Sequence, residues 1–177
     1  GAAARNDWAR SHLEFSAAQG IQLYVVTGLG KGREGTVGLK TGAGVPVPAT
    51  FTAFCDRMAE LLSAADLVVS RAGAGTLAEL IRCETPAILV PFPQAADNHQ
   101  QANAAFFERQ GGGLAIPQTR LAQLHAEVND VIFNDWLLRK FRGNLRRMDR
   151  ANSLEMMLKD LEEITRPARA VGRVALA

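Results

Sequence analysis

Two cysteines, Cys55 and Cys83, are all that the 177 residues contain, and they form no Cys-x-x-Cys pair. Neither a zinc site nor a disulfide framework is indicated, and both read as reduced, buried thiols of a cytosolic protein. No apolar run approaches the ~18 residues that a membrane-spanning helix needs. The opening residues GAAARNDWARS lack a basic start followed by an apolar stretch, so no secretory signal is read in them. Charge of one sign is not in excess either: a net +2 is too small to argue for nucleic acid. No pair of carboxylates suggests hydrolytic acid–base chemistry, and no Ser/His/Asp or Cys/His arrangement stands out. What is present is an ordinary globular composition, 47% hydrophobic and 21% charged, long enough for one domain with a sizeable core. The expected compartment is the cytoplasm, at a membrane surface.

Two strand–turn–helix units dominate residues 66–103. DLVVS and AILVP are short apolar runs rich in β-branched residues, as strands buried on both faces are. Each leads into a turn and then a helix. The polar residues of both turns are therefore expected beyond the carboxyl ends of neighbouring parallel strands, where open α/β sheets hold ligands.

Upstream, residues 3–19 read as a helix with Trp8, His12, Phe15 and Ala18 near one face, stopped by Gly20. Residues 22–28, QLYVVTG, form a strand, residues 50–54 a strand end and residues 57–64 a short helix. The glycine-rich stretch between them contains no G-x-x-x-x-G-K-[ST]. Its Gly30-Lys31-Gly32 cluster is not a phosphate loop, and the stretch reads as a flexible connection. Downstream, a helix runs on to Gln110 and GGGLAIP forms a last strand.

Across residues 121–164 the pattern is helical, with Leu137, Phe141, Leu145, Met148, Leu154, Leu158 and Leu161 at three- or four-residue steps. Arg139, Lys140, Arg142, Arg146, Arg147 and Arg150 make this helix basic. Such a face lies on an anionic membrane in some proteins and is merely solvated in more. The alternation of elements predicts a mostly parallel sheet with helices on both faces. A doubly wound domain normally opens with its most central strand, whereas this chain opens in a helix, so that strand is expected to be missing. Residues 1–165 are expected to form the domain and residues 166–177 a loose tail.

The first turn, Arg71-Ala72-Gly73-Ala74-Gly75-Thr76, leads into a helix whose free N–H groups and positive dipole end suit a diphosphate. The string also fits G-x-G-x-x-A, but that fingerprint wants an acidic residue ~20 residues on, at the end of the next strand. Pro91-Phe92-Pro93 stands there instead, which disfavours NAD. Glu79 has two readings: a carboxylate for ribose hydroxyls, or the second half of a Thr76-x-x-Glu79 capping box. The second turn, residues 94–103, gathers amides, an imidazole and a carboxylate. Such groups read sugar hydroxyls, although Asp97 or Asn98 also serves as a helix cap in the plainer reading.

RAGAGTLAE followed by PAILVPFPQAADNHQQANA resembles the donor half of the MurG family, the bacterial peptidoglycan N-acetylglucosaminyltransferases. The likeness spans residues 20–117 and, more loosely, the helical end. It implies a Rossmann-like α/β domain, the C-terminal half of a GT-B enzyme that transfers N-acetylglucosamine from UDP-N-acetylglucosamine to lipid I at the inner membrane face. By position, Cys55 would offer backbone groups to uracil and Met58 would pack near the base. Ala74, Gly75 and Thr76 would face the diphosphate, and Glu79 would bind the ribose. His99 and Gln100 would contact the ribose–phosphate region and the sugar, with Asn103 supporting that turn; Asp97 and Gln101 are weaker candidates. The resemblance further implies metal independence and no other cofactor. It places the acceptor domain, with its GGTGGH-like segment and the catalytic base, outside this chain, so no catalytic residue is assigned here. Two other readings are a donor-binding subunit of a split transferase and a non-catalytic UDP-sugar-binding module.

Overall fold

The computed structural model describes residues 2–93, 98–150, 158–159 and 161–162, with side chains from Asn6 onward. In chain order the elements are α1 (Ala2–Ser11), α2 (Leu13–Ala18), β1 (Leu23–Val26), β2 (Gly35–Val37), β3 (Ala49–Thr52), α3 (Met58–Ala64) and β4 (Val68–Ser70). There follow α4 (Ala74–Arg82), β5 (Ala87–Leu89), α5 (His99–Arg109), β6 (Gly113–Ala115), a 3₁₀ segment at Gln118–Gln123, α6 (Leu124–Ile132) and α7 (Asp135–Arg150).

The strands form two sheets. In one, β4, β5 and β6 lie in that order and all run parallel. In the other, β3 pairs in parallel with β1 and antiparallel with β2. The glycine-rich stretch thus departs from the expected flexible connection: it contributes β2, and a further bridge joins Lys40 to Pro46. Within the described residues, β1 and β4 are both end strands, and no strand pairs the two sheets.

Strand alternation sorts side chains to the two faces of β4-β5-β6. Ala87 and Leu89 of β5 join a cluster with Leu77, Leu80, Ala104, Phe107 and Leu145, so α4, α5 and the end of α7 cover that face. Ile88, between them, joins Ile116, Leu124, Val128, Val131, Leu138 and Phe141 on the other, under α6 and the start of α7. Helices therefore cover both faces. Trp8 and Leu23 pack against this second cluster and also against Ala9, Ala49 and Phe51, which links the sheets through apolar contact. Gly113 is required where β6 meets β5, because a Cβ there would lie 1.8 Å from the carbonyl oxygen of Ala87.

Two expected helices are divided. The first breaks at His12, whose Nδ1 lies 2.9 Å from the Trp8 carbonyl oxygen. The long C-terminal helix breaks at Phe133–Asn134. Leu158 and Leu161 do not continue the buried stripe, being 51% and 57% exposed. Leu154 and the expected tail at residues 166–177 lie outside the described residues.

Candidate functional site

Parallel pairing sets Ser70 beside Leu89, and the Val90 N–H donates to the Ser70 carbonyl at 2.8 Å. The turns that follow β4 and β5 therefore leave the sheet side by side. In the first, Gly73 is extended (φ −69°, ψ 146°) and caps α4 without a side-chain bond. The first main-chain bond of the helix runs from Leu77 N–H to the Gly73 carbonyl at 3.0 Å. The N–H groups of Ala74, Gly75 and Thr76 are left without helical acceptors, as at any helix start. Ala74 and Gly75 are exposed and Thr76 is half-buried. A Cβ on Gly75 would meet nothing within 4 Å. Three donors and a positive helix end thus open onto free space, an arrangement that receives an anion.

The capping-box reading of Thr76 and Glu79 fails on register. Gly73 is the cap, Thr76 is the third residue of the helix, and Glu79 lies nearly a turn further. The Glu79 carboxylate is exposed and makes no hydrogen bond to a described residue.

At the second turn Asn98 adopts a left-handed conformation (φ 55°, ψ 19°) at the start of α5, again with no side-chain cap bond. His99 and Gln101 are exposed; Gln100 and Asn103 are half-buried. Gln100 Oε1 accepts the Phe92 N–H at 2.9 Å, which ties the start of α5 to the residues just after β5. Asn103 Nδ2 donates to the Ala72 carbonyl at 2.9 Å and ties α5 to the glycine turn. The two turns are therefore one connected unit. Asp97 lies outside the described residues.

Met58, at the start of α3, packs against the core cluster that contains Leu62, Ala72, Leu77 and Leu80. Cys55 sits between β3 and α3, half-buried in a shallow cleft lined also by Tyr24, Asp56, Arg57 and Glu60. Among the described residues no group of three His, Cys, Asp or Glu is placed to hold a metal ion.

Arg71 was not among the sequence candidates. Its guanidinium donates to the Val90 carbonyl at 2.8 Å and to Gln118 Oε1 at 2.7 Å, and it lies 5.3 Å from the Phe92 ring centroid. Burial lowers its pKa from the ordinary value, but arginine stays charged in proteins. The available signal was a cation at a strand end, directly before a glycine turn.

Residues 1–152 match the glycosyltransferase family 28 C-terminal domain. The chain belongs to glycosyltransferase family 28. Its relatives within this family include proteins named UDP-N-acetylglucosamine–N-acetylmuramyl-(pentapeptide) pyrophosphoryl-undecaprenol N-acetylglucosamine transferase. That of Opitutus terrae is 67% identical over 172 residues, covering 97% of this chain and 46% of the relative. That of Sorangium cellulosum is 42% identical over 125 residues, covering 70% and 31%. The chain thus spans less than half the length of these curated relatives. Among solved structures, Acinetobacter baumannii MurG aligns with a TM-score of 0.57 at 28% identity, over 65% of this chain and 35% of that one. A glycosyltransferase of kitacinnamycin aligns with a TM-score of 0.66 at 24% identity, over 90% and 39%, a likeness of fold. The family 28 domain is accordingly the Rossmann-like half of a GT-B architecture, as its β4-β5-β6 sheet shows in part.

Proposed function

We propose that this domain binds UDP-N-acetylglucosamine for a glycosyltransferase that passes N-acetylglucosamine to lipid I, forming lipid II at the inner face of the cell membrane. The observation that carries the reading is the joined pair of turns. Three N–H groups without helical acceptors open α4, Glu79 follows in the same helix with an exposed carboxylate that makes no hydrogen bond among the described residues, and Asn103 fastens the start of α5 to the first turn. The N–H groups of Ala74, Gly75 and Thr76 take the diphosphate, and Glu79 takes the ribose hydroxyls. His99 and Gln100 read the ribose–phosphate region and the sugar, and Asn103 holds their turn in place. Cys55 and Met58 flank the base.

In an inverting transfer the acceptor hydroxyl attacks the anomeric carbon as the bond to the diphosphate breaks. Negative charge then grows on the leaving diphosphate, where the α4 N-terminus stabilises it without the help of a metal. Fixing sugar and diphosphate together contributes orientation. The acceptor site and the base are assigned to other parts of the enzyme, so the 177 residues alone should not turn over.

Calorimetric titration with UDP-N-acetylglucosamine, UDP-glucose and NADH in parallel tests this reading. Saturable binding of the first, weaker binding of the second and none of the third are expected. Glu79→Ala should weaken UDP more than it weakens 2′-deoxyuridine diphosphate, which offers the carboxylate one hydroxyl fewer. The reading is lost if Glu79→Ala and Gln100→Ala both leave the affinity for UDP-N-acetylglucosamine unchanged.

A further inference from the structure

Pro91-Phe92-Pro93, which follows β5, offers a single main-chain donor, because neither proline has an N–H. Gln100 takes it, its Oε1 accepting the Phe92 N–H at 2.9 Å. The segment that carries this donor is stiff. Both proline rings restrict its backbone, and the Arg71 guanidinium donates to the Val90 carbonyl at 2.8 Å and lies 5.3 Å from the Phe92 ring centroid.

A main-chain N–H can only donate, so the Gln100 atom that meets it is the amide oxygen, and the partner dictates how the amide is turned. Its Nε2 keeps both N–H donors unused among the described residues. Asn103, three residues on, is fixed in the opposite sense. The Ala72 carbonyl can only accept, so Asn103 meets it with Nδ2, at 2.9 Å, and keeps Oδ1 unused. Both residues are half-buried. Among the described residues the polar side-chain atoms buried without a partner are Trp8 Nε1, Asn129 Oδ1 and Arg142 Nε, so the two unused amide ends still reach solvent.

Residues three apart on a helix are neighbours, with Cβ atoms about 5–6 Å apart. Beside the glycine turn, α5 thus carries a donor end and an acceptor end together. An ionised phosphate only accepts and would satisfy Gln100 alone. A hydroxyl plays either part, so two adjacent hydroxyls suit the pair when one accepts and the next donates. On N-acetylglucosamine held through C1, with the acetamido group on C2, the adjacent hydroxyls are those of C3 and C4. We propose that Phe92 and Ala72, through their main-chain groups, set the direction in which α5 reads the sugar: Gln100 donates to one of these hydroxyls and Asn103 accepts from the other. Phe92 is then a positioning residue. The inference rests on the donor-site reading and deepens it.

The test titrates the full chain with UDP-N-acetylglucosamine and its 3- and 4-deoxy and 3- and 4-deoxyfluoro analogues. Fluorine accepts weakly and cannot donate. At the hydroxyl facing Gln100 the fluoro analogue should bind about two- to threefold more tightly than the deoxy one, the low end for a neutral hydrogen bond. At the hydroxyl facing Asn103 fluorine should recover nothing. Gln100→Glu still accepts from Phe92 but offers the ligand only an acceptor. Its melting temperature should hold while the first preference inverts, the fluoro analogue becoming the weaker of the two. Replacing Phe92 with phenyllactic acid deletes only its N–H, and should abolish the fluorine preference while UDP affinity stays within about twofold of the parent, less than one neutral hydrogen bond. A fluorine preference at neither position, as when the acetamido group occupies the pair, would overturn the proposal. A preference that survives both substitutions unchanged would do the same. Normal UDP binding without the fluorine pattern sinks this inference alone, whereas a parent that binds no UDP sinks the donor-site reading and this inference with it.

Discussion

Arg71, at the end of β4, donates to Oε1 of Gln118, just beyond β6, at 2.7 Å across 47 residues of sequence. Because the same guanidinium also reaches the Val90 carbonyl, one side chain spans the ends of three strands. Cutting it should loosen the rim that carries both turns. For Arg71→Met we expect about 1.5–3 kcal/mol of lost stability in urea unfolding, the range for hydrogen bonds to charged groups. Arg71→Lys should recover less than half, because an ammonium lacks the planar fork that serves two acceptors. In the same variants the preference for UDP-N-acetylglucosamine over UDP should shrink more than the affinity for UDP itself. If Arg71→Met kept full stability and full sugar preference, the rim would owe nothing to this residue.

Ala74→Pro separates helix formation from anion binding. Ala74 is the first residue of α4, where proline is favoured and its missing N–H breaks no helical bond. Gly73 already has the extended conformation that a residue before proline needs. Melting temperature should therefore hold, while UDP affinity falls roughly tenfold, as for loss of one charge-assisted bond of about 1.5 kcal/mol. Uridine, with no phosphate, should bind this variant and the parent alike. A fall in uridine affinity equal to that for UDP would place the diphosphate elsewhere.

How far the sequence revealed the fold follows from where each element gets its stability. β5 was plain because Ala87, Ile88 and Leu89 are fully buried, and burial on both faces writes a continuous apolar run. β2 was invisible because Gly35, Thr36 and Val37 are all exposed and held by backbone pairing to β3, which leaves no hydrophobic alternation to read. The break before α7 carries no proline or glycine; it depends on an asparagine side chain accepting a helix-start N–H. In the site, the residue types of both turns were legible as chemistry. The register of the α4 start was not, since Thr76-x-x-Glu79 has capping-box spacing whichever residue actually caps. The Arg71–Gln118 bond was hidden for another reason. It exists only once β6 lies beside β5, a tertiary fact with no local pattern.

Gly113→Ala tests that packing of β6. The added methyl would lie 1.8 Å from the Ala87 carbonyl oxygen, and 2.8–2.9 Å from that residue's carbonyl carbon and nitrogen, so rigid backbone and not a flexible side chain must yield. We expect a loss on the order of 3 kcal/mol or more, at the upper end for overpacking. Hydrogen exchange should quicken at Ala87 and Ile116, whose N–H groups bond across β5–β6. A variant as stable as the parent would show that β6 does not approach β5 as closely as described.

Glu84 combines backbone strain with an ion pair, and pH separates the two. It follows α4 with φ 53°, in the left-handed region that disfavours a side chain, and the bonds Glu84 N–H to Ile81 O and Thr85 N–H to Leu80 O close the helix around it. Glycine at this position relieves a penalty of roughly 1 kcal/mol. Against that, the Glu84 carboxylate accepts hydrogen bonds from Arg146 at 2.6–3.0 Å. That bond lowers its pKa below the ordinary carboxylate value against the opposing effect of burial, and the charges of Arg146, Arg150 and Arg142 add to the lowering. A carboxylate with a depressed folded-state pKa contributes stability above its unfolded pKa of about 4.3 and loses it as pH falls through the folded value. Glu84→Gly should thus be more stable than the parent by about 1 kcal/mol in strongly acidic buffer, where only the strain differs. Toward neutral pH the advantage should narrow as the ion pair returns to the parent. Glu84→Gln, which keeps the strain and removes the charge, should show the matching loss near neutrality and none in acid. Urea midpoints for the three proteins across the acid range measure this directly, and a glycine variant less stable than the parent in acid would show that the left-handed turn costs glutamate nothing.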